Sequence, residues 1–149
     1  MDDLKKLLNP ESVALIGASE REGSVARPIL LNLANSFKGA LFPVNPARKT
    51  LLGMECFPSV AAVPQAVDLA VVVVRAPLIP DIIGQCAQAG VGGAVIISTG
   101  FAYAGAPDRQ LEERVLEIRR SCGIRIIGPG SVGIIRPDIG LNTSFLNVN

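Results

Sequence analysis

The residues of this chain best suited to chemistry are two glycine-bearing segments and a cation pair, and the chemistry they could do is anion recognition. Gly128-Pro129-Gly130-Ser131-Val132-Gly133 spells GxGxxG, the spacing with which a backbone leaves a strand, approaches a diphosphate closely and enters a helix. Gly17-Ala18-Ser19, with Gly23 further on, lacks the middle glycine of that pattern. As a lone signal it fits an ordinary strand-to-helix turn as well as a phosphate cradle. Arg48 and Lys49 form the cation pair. Acid–base and nucleophilic chemistry find little to work with. Histidine is absent, which removes the usual general base, metal ligand and phosphate carrier. Cys56, Cys86 and Cys122 make no CxxC pair, so neither a zinc cluster nor a disulfide framework can be assembled. None of the three has a histidine to activate it, and Ser131 has no base near it in sequence. No catalytic residue and no metal site is expected.

The elements that must position these residues alternate. Val13 to Gly17 is a strand-forming run that ends in the loop Ala18 to Gly23, and a helix from Ser24 to about Asn35 follows. Pro28 falls in its first turns, where a missing N–H costs least, and Ile29, Leu30, Leu33 and Ala34 supply its buried stripe. Ala40 to Val44 is a second strand, closed by Asn45-Pro46. Pro58 to Val63 reads as a short helix, and Leu69 to Val74 as a third, central strand covered on both faces. Pro77 to Ala89 is helical with Gly90 as its cap, and Ala94 to Ile97 is a fourth strand. Pro107 to Cys122 is the clearest helix, with Leu111, Val115, Ile118 and Cys122 on one face and charges on the rest. Cys86 and Cys122 are expected as small core residues, with Cys56 left open. Ile124 to Ile127 is the fifth strand. Met1 to Pro10 carries Leu4, Leu7 and Leu8 at the spacing of a helical turn or two. Ile134 to Asn149 shows no further long periodic segment and reads as a linker or a cut edge.

Strand and helix alternating in this way predict an α/β class with a Rossmann-like, doubly wound parallel sheet of about five strands. Ligands then sit beyond the carboxyl ends of the strands, where helix N-termini offer N–H groups to anions. Five loops should therefore line one crevice: Gly17 to Ser24, Asn45 to Lys49, Arg75 to Pro77, Ser98 to Gly100 and Gly128 to Gly133. The literal GxGxxG follows the fifth strand and leads into Ile134-Ile135-Arg136-Pro137 instead of a long helix, so it is read as a decoy for dinucleotide binding. An NAD site should place Asp or Glu near the end of the second strand, and this chain has Asn45. Just beyond, Arg48 and Lys49 are placed to meet an extra phosphate on an adenosine ribose, as NADP carries at its 2′ and CoA at its 3′ oxygen. Ordinary exposed cations would look the same.

Composition bounds the rest. At 149 residues the chain is one domain by the usual roughly 100–200 residues each. Its 49% hydrophobic and 18% charged content excludes disorder. A formal net charge of +1 lacks the basic excess that nucleic acid binding requires. The charged N-terminus is neither a signal peptide nor a membrane span, and the cysteine usage fits a cytoplasmic setting.

Several segments together carry a family resemblance. Asn9 to Ser19 (NPESVALIGAS), Gly39 to Pro46 (GALFPVNP), Gly53 to Val60 (GMECFPSV), Asp68 to Val74, Val95 to Phe101 (VIISTGF) and Gly128-Pro129 resemble the CoA-binding domain of NDP-forming acyl-CoA synthetases. That domain is similar to the succinyl-CoA synthetase alpha subunit and also occurs fused to lysine acetyltransferases. The resemblance covers nearly the whole chain. It implies a CoA-binding module of an ADP-forming, acetate–CoA ligase type synthetase, spanning residues 1–141, with 142–149 starting a linker to a downstream domain. The implied contacts to CoA are Gly17, Ala18, Ser19, Glu20, Arg21, Gly23 and Ser24 in the first loop, and Asn45, Arg48 and Lys49 after the second strand. Ala76, Pro77, Ile97, Ser98 and Thr99 line the remainder. Partners implied are CoA or acyl-CoA and downstream ligase domains or a partner subunit, with homo-oligomerisation left open and no nucleic acid or membrane. In that family phosphate passes through a histidine of another domain, so the chain alone is expected to hold CoA and not to ligate it. The family usually continues Gly-Pro with Asn-Cys or Asn-Ser, whereas this chain has Gly130-Ser131, which puts the parent activity in question. Rival readings are an NADP-binding oxidoreductase domain, which shares the glycine loop and cation pair, and a CoA-sensing domain on an acetyltransferase.

Overall fold

The computed structural model of the chain describes residues 2–99 and 106–146. Helix α1 (Asp2–Leu8) leads into strand β1 (Ser12–Ile16), helix α2 (Ala26–Ser36) and strand β2 (Ala40–Val44). A short hairpin of β3 (Thr50–Leu51) and β4 (Met54–Glu55) and a 3-10 turn at Val60–Ala62 separate these from strand β5 (Leu69–Val72). A second 3-10 turn at Ala76–Leu78 opens helix α3 (Ile79–Gln88); strand β6 (Gly93–Ile96), helix α4 (Ala106–Cys122) and strand β7 (Arg125–Ile127) follow. Strands β8 (Ile135–Arg136) and β9 (Leu141–Asn142) form a closing hairpin around a 3-10 turn at Pro137–Ile139.

The five longer strands pair in parallel in the order β2-β1-β5-β6-β7, so the chain steps from β1 to β2 and then crosses back to lay β5 on the other side of β1. This is the α/β, Rossmann-like, doubly wound sheet that the alternation predicts. Side chains of a strand point to opposite faces in turn, and both faces are apolar here. Val13, Leu15, Leu69, Val71 and Val95 pack with Ile29, Leu30 and Leu33 of α2 and Leu7 of α1. Ala14, Ile16, Val72 and Ile96 pack with Ile79, Ile83 and Cys86 of α3 and Val115 of α4. Fully burying a leucine or isoleucine stabilises by about 1.5–3 kcal/mol, and Leu15, Leu69, Ile83 and Ile96 are all completely buried.

Several local expectations shift. The α2 stripe runs Ala26, Ile29, Leu30 and Leu33; Ala34 is exposed, since at about 100° per residue it lies about 90° from the middle of that stripe, further out than any of the four. The helix expected over Pro58 to Val63 is the single 3-10 turn at Val60–Ala62, too short for an α-helical ladder before Pro64. The central strand ends at Val72, leaving Val73 and Val74 outside it. Cys86 is buried as expected and Cys56 is buried too, but Cys122 is exposed. It is the last residue of α4, and its Sγ donates to the Ile118 carbonyl at 2.8 Å.

The stretch from Ile134 is not featureless. Leu141, Thr143 and Ser144 are buried, the Thr143 N–H donates to the Ile134 carbonyl at 2.9 Å, and the Ile134 N–H donates to Thr143 Oγ1 at 2.7 Å. Gly140 passes α2 so closely that a Cβ there would strike the Ser36 carbonyl oxygen. Arg136 pairs with Asp138 at 2.7 Å and donates to the Leu8 carbonyl at 2.9 Å; the guanidinium holds the Asp138 carboxyl below its usual range. Residues 142–146, expected as the start of a linker, are thus packed on α2, and 147–149 lie outside the described residues.

The thiols give a direct test of this packing. Burial pushes the Cys86 thiol up to about 12 and the Cys56 thiol up as well, and only the thiolate attacks a disulfide reagent. At pH 8 one of the three cysteines should react quickly in the native protein, and Cys122→Ser should remove that phase; the other two should react only on unfolding. Rapid native labelling of Cys86 would contradict the burial described.

Candidate functional site

The sheet order places a crevice between the carboxyl ends of β1 and β5, where the chain reverses direction across the sheet and ligands of open α/β folds bind. Its floor begins at Gly17, whose φ of +85° suits glycine. A Cβ there would collide with the Val73 carbonyl oxygen. The N–H groups of Gly17 and Ala18 both donate to the Val44 carbonyl, at 3.0 and 3.2 Å, which fixes the loop against β2.

From Ser19 the chain coils into the helix through two turns held by serine hydroxyls. Ser19 Oγ accepts from the Arg21 N–H at 3.1 Å. Ser24 Oγ donates to the Arg21 carbonyl at 2.8 Å and accepts from the Arg27 N–H at 3.2 Å. Ser24 therefore caps α2, and its hydroxyl proton is spent within the loop. The Ser19 hydroxyl keeps its proton for a ligand.

The crevice encloses about 580 Å³, within the range of roughly 300–1,000 Å³ typical of small-molecule sites. The first loop contributes Gly17, Ser19, Arg21, Gly23 and Ser24, and the fourth contributes Ile97, Ser98 and Thr99, so eight of the residues singled out in the sequence share one wall. Val25, Ala26, Val73, Val74, Arg75 and Phe145 also line it. Arg75 was legible as the cation of the third loop, whereas Phe145 gave no signal because its segment reads as a linker. Arg21 and Arg75 lie on the wall, and no carboxylate does among the described residues. The field is positive, and α2 adds the positive end of its dipole.

The other expected residues stand elsewhere. Ala18 is fully buried beneath the loop. The Glu20 carboxylate turns away and accepts the Leu52 N–H at 3.0 Å, clamping the β3–β4 turn. Asn45 is also a brace: its Nδ2 donates to the Ala18 carbonyl at 2.9 Å and its Oδ1 accepts the Ala47 N–H at 2.8 Å. Arg48 and Lys49 are exposed beyond β2, outside the crevice wall, and neither pairs with a carboxylate among the described residues. Ala76 and Pro77 sit past Arg75 in the 3-10 turn, off the wall. The fifth loop packs beside the fourth, with the Gly130 N–H donating to the Ser98 carbonyl at 3.0 Å. Ser131 Oγ accepts the Gly133 N–H at 3.0 Å. The five loops therefore do not share one wall; the first, third and fourth do, because the second and fifth are held in local turns.

The comparisons with known proteins agree with one another. A family model described as a CoA binding domain matches residues 11–137. Over 144 residues the chain is 43% identical to ADP-forming acetate–CoA ligase II of Archaeoglobus fulgidus, a match covering 96% of this chain and 21% of that protein. It is 34% identical to the alpha subunit of ADP-forming acetate–CoA ligase II of Pyrococcus furiosus over 145 residues, covering 97% of this chain and 32% of the subunit. The solved structure of a dinucleotide forming acetyl-coenzyme A synthetase 1 from Ca. Korarchaeum cryptofilum, in complex with phosphate and ADP, superposes with a TM-score of 0.90. That match is 38% identical and covers 97% of this chain and 31% of that one. The chain spans between about a fifth and a third of the length of the relatives it matches.

Proposed function

The chain belongs to the CoA binding domain family whose model covers residues 11–137, and from that premise we propose that its crevice holds CoA for an ADP-forming acyl-CoA synthetase of the acetate–CoA ligase type. The thioester chemistry itself belongs to other domains or to a partner subunit. One observation carries the reading: Gly17 is pressed onto the Val73 carbonyl with Arg21, Arg75 and the α2 N-terminus facing the space above it. That is a floor of close-packed backbone under two cations and a helix N-terminus, which suits a diphosphate.

In this reading the first loop binds the diphosphate through backbone N–H groups and the Ser19 hydroxyl. Glu20 and Asn45 hold the loop and the hairpin in place, and the exposed cations beyond β2 take the phosphate on the ribose. CoA supplies the thiol; this chain's part is to bind it, orient it and leave its far end open. Asn45 has both ends of its amide engaged as a brace inside the protein, and it stands where an NAD site would place a carboxylate for the ribose diol, which weighs against NAD. The setting proposed is the cytoplasm, where the thiols stay reduced. Among the described residues no helix is long and apolar enough to cross a membrane.

The test is calorimetry of the chain against CoA, dephospho-CoA and NADP. A charge-assisted hydrogen bond to phosphate contributes about 1.5–3 kcal/mol, so Arg48→Ala should weaken CoA about ten-fold or more and leave dephospho-CoA nearly unchanged. Equal losses for both ligands would remove Arg48 from the ribose phosphate. NADP binding more tightly than CoA would overturn the reading as a whole.

A further inference from the structure

Phe145 is the aromatic side chain on the crevice wall among the described residues, and it is held there on purpose-built hydrogen bonds. Asn32 of α2 donates from one Nδ2 to the carbonyls on either side of it, Ser144 at 3.0 Å and Leu146 at 3.2 Å. Ser144 is buried, and its Oγ donates to Asn142 Oδ1 at 2.7 Å. The backbone that carries the ring is thus fixed, yet the ring itself is 39% exposed, and Val25 beside the helix start is 48% exposed. Both line the crevice, so two uncovered apolar side chains join Val73, Val74 and Ile97 on a wall that also carries the cations and hydroxyls of the site.

An apolar surface does nothing for a small anion, whose oxygens prefer water or a cation. It does favour a ligand that carries a long, weakly polar chain beyond its diphosphate. We infer that Val25 and Phe145 contact the pantetheine arm of CoA and make the crevice select CoA over nucleotides that lack that arm. This rests on the proposed function, in which the ribose phosphate lies toward Arg48 beyond β2. With the diphosphate over Gly17, the rest of the molecule then runs the other way, across the β1–β5 crevice toward Ile97 and Ser98 and along these apolar side chains.

The experiment compares CoA with adenosine 3′,5′-bisphosphate, which keeps the adenosine, the ribose phosphate and the first phosphate of the diphosphate and lacks the second phosphate and the arm. The selective loss in the variants, and not the wild-type difference alone, therefore reports on the arm. The wild-type chain should bind CoA more tightly than the bisphosphate. Removing a half-exposed phenyl contact in Phe145→Ala should weaken CoA about five-fold or more, with the bisphosphate unchanged. That unchanged affinity also reports that the variant is folded. Val25→Ser, at the other exposed apolar position of the crevice wall, should show the same selective loss. Phe145→Leu, which keeps an apolar contact, should retain most of the affinity. Unchanged CoA affinity in both Phe145→Ala and Val25→Ser overturns the inference. So do equal losses for the two ligands, which would put adenine against the ring, and a wild-type chain that binds both ligands alike. A wild-type chain that binds neither ligand overturns the proposed function itself.

Discussion

Gly17→Ala should lower the melting temperature by about 10 °C or more and abolish measurable CoA binding, while Gly23→Ala in the same loop should cost far less. Two costs add at Gly17. Its φ of +85° is strained for any residue with a Cβ, by about 1–2 kcal/mol. The new atom would also meet the Val73 carbonyl oxygen and carbon, which are backbone and cannot turn aside. Relief requires moving the first loop off β5, and with it the N–H groups of Gly17 and Ala18 that hold Val44. A total of about 3–5 kcal/mol is a large part of the roughly 5–15 kcal/mol that stabilises a domain. At this chain length each kcal/mol shifts the midpoint by about 2–4 °C. Gly23 has a similar φ of +80°, but a Cβ there meets no protein atom within 4 Å. It pays the strain alone, and any further loss of CoA affinity at Gly23 would come from the ligand. Melting curves and calorimetry on the two variants separate the roles, and a wild-type midpoint for Gly17→Ala would sink the account of the crevice floor.

The contrast between these glycines shows where sequence reading stops. That Gly17 ends a strand and Gly23 precedes a helix is local information, carried by the apolar run VALI and the helical spacing after it. The inner strands β1, β5 and β6 are legible for the same reason, since a strand covered on both faces is a continuous apolar run. That Gly17 abuts β5 depends on a crossover that no local pattern records. The β3–β4 hairpin escapes notice because its strands hold two residues each and Leu52 takes φ +49° at the turn, where Gly or Asn is the usual signal. Leu141 and Phe145 look like linker because their partners lie on α2, more than a hundred positions back in sequence. Asn45 was legible as a residue at the right strand end and illegible in its role. Only the structure shows both ends of its amide tied to Ala18 and Ala47. Cys122 fits the apolar face of α4 by spacing and is exposed in fact, at the last residue of the helix.

The chain incubated with CoA, acetate, ATP and magnesium should form no acetyl-CoA. Coupling acetate to a thiol with release of ADP and phosphate needs the carboxylate activated as an acyl phosphate, a mixed anhydride, and in the family this chain resembles the phosphoryl group passes through a histidine. This sequence contains none. The described crevice does not substitute for it: its wall offers cations, hydroxyls, backbone and apolar side chains, with no group that would act as a phosphoryl acceptor and general base in turn. No GxxxxGK followed by Ser or Thr is present to cradle a triphosphate either. Cys86 is held as a thiol by burial, its ionisation pushed up to about 12, so covalent catalysis through it is closed as well. Adding the remaining portion of a relative such as the Archaeoglobus fulgidus ligase, of which this chain matches 21%, supplies what is missing. Acetyl-CoA should then appear, and Arg48→Ala should raise the CoA concentration needed for half-maximal rate more than it lowers the rate at saturation, as expected for a residue that binds ligand equally throughout the reaction. Turnover by the chain alone, persisting in proportion to its concentration through successive purification steps, would mean that the crevice performs chemistry as well as binding.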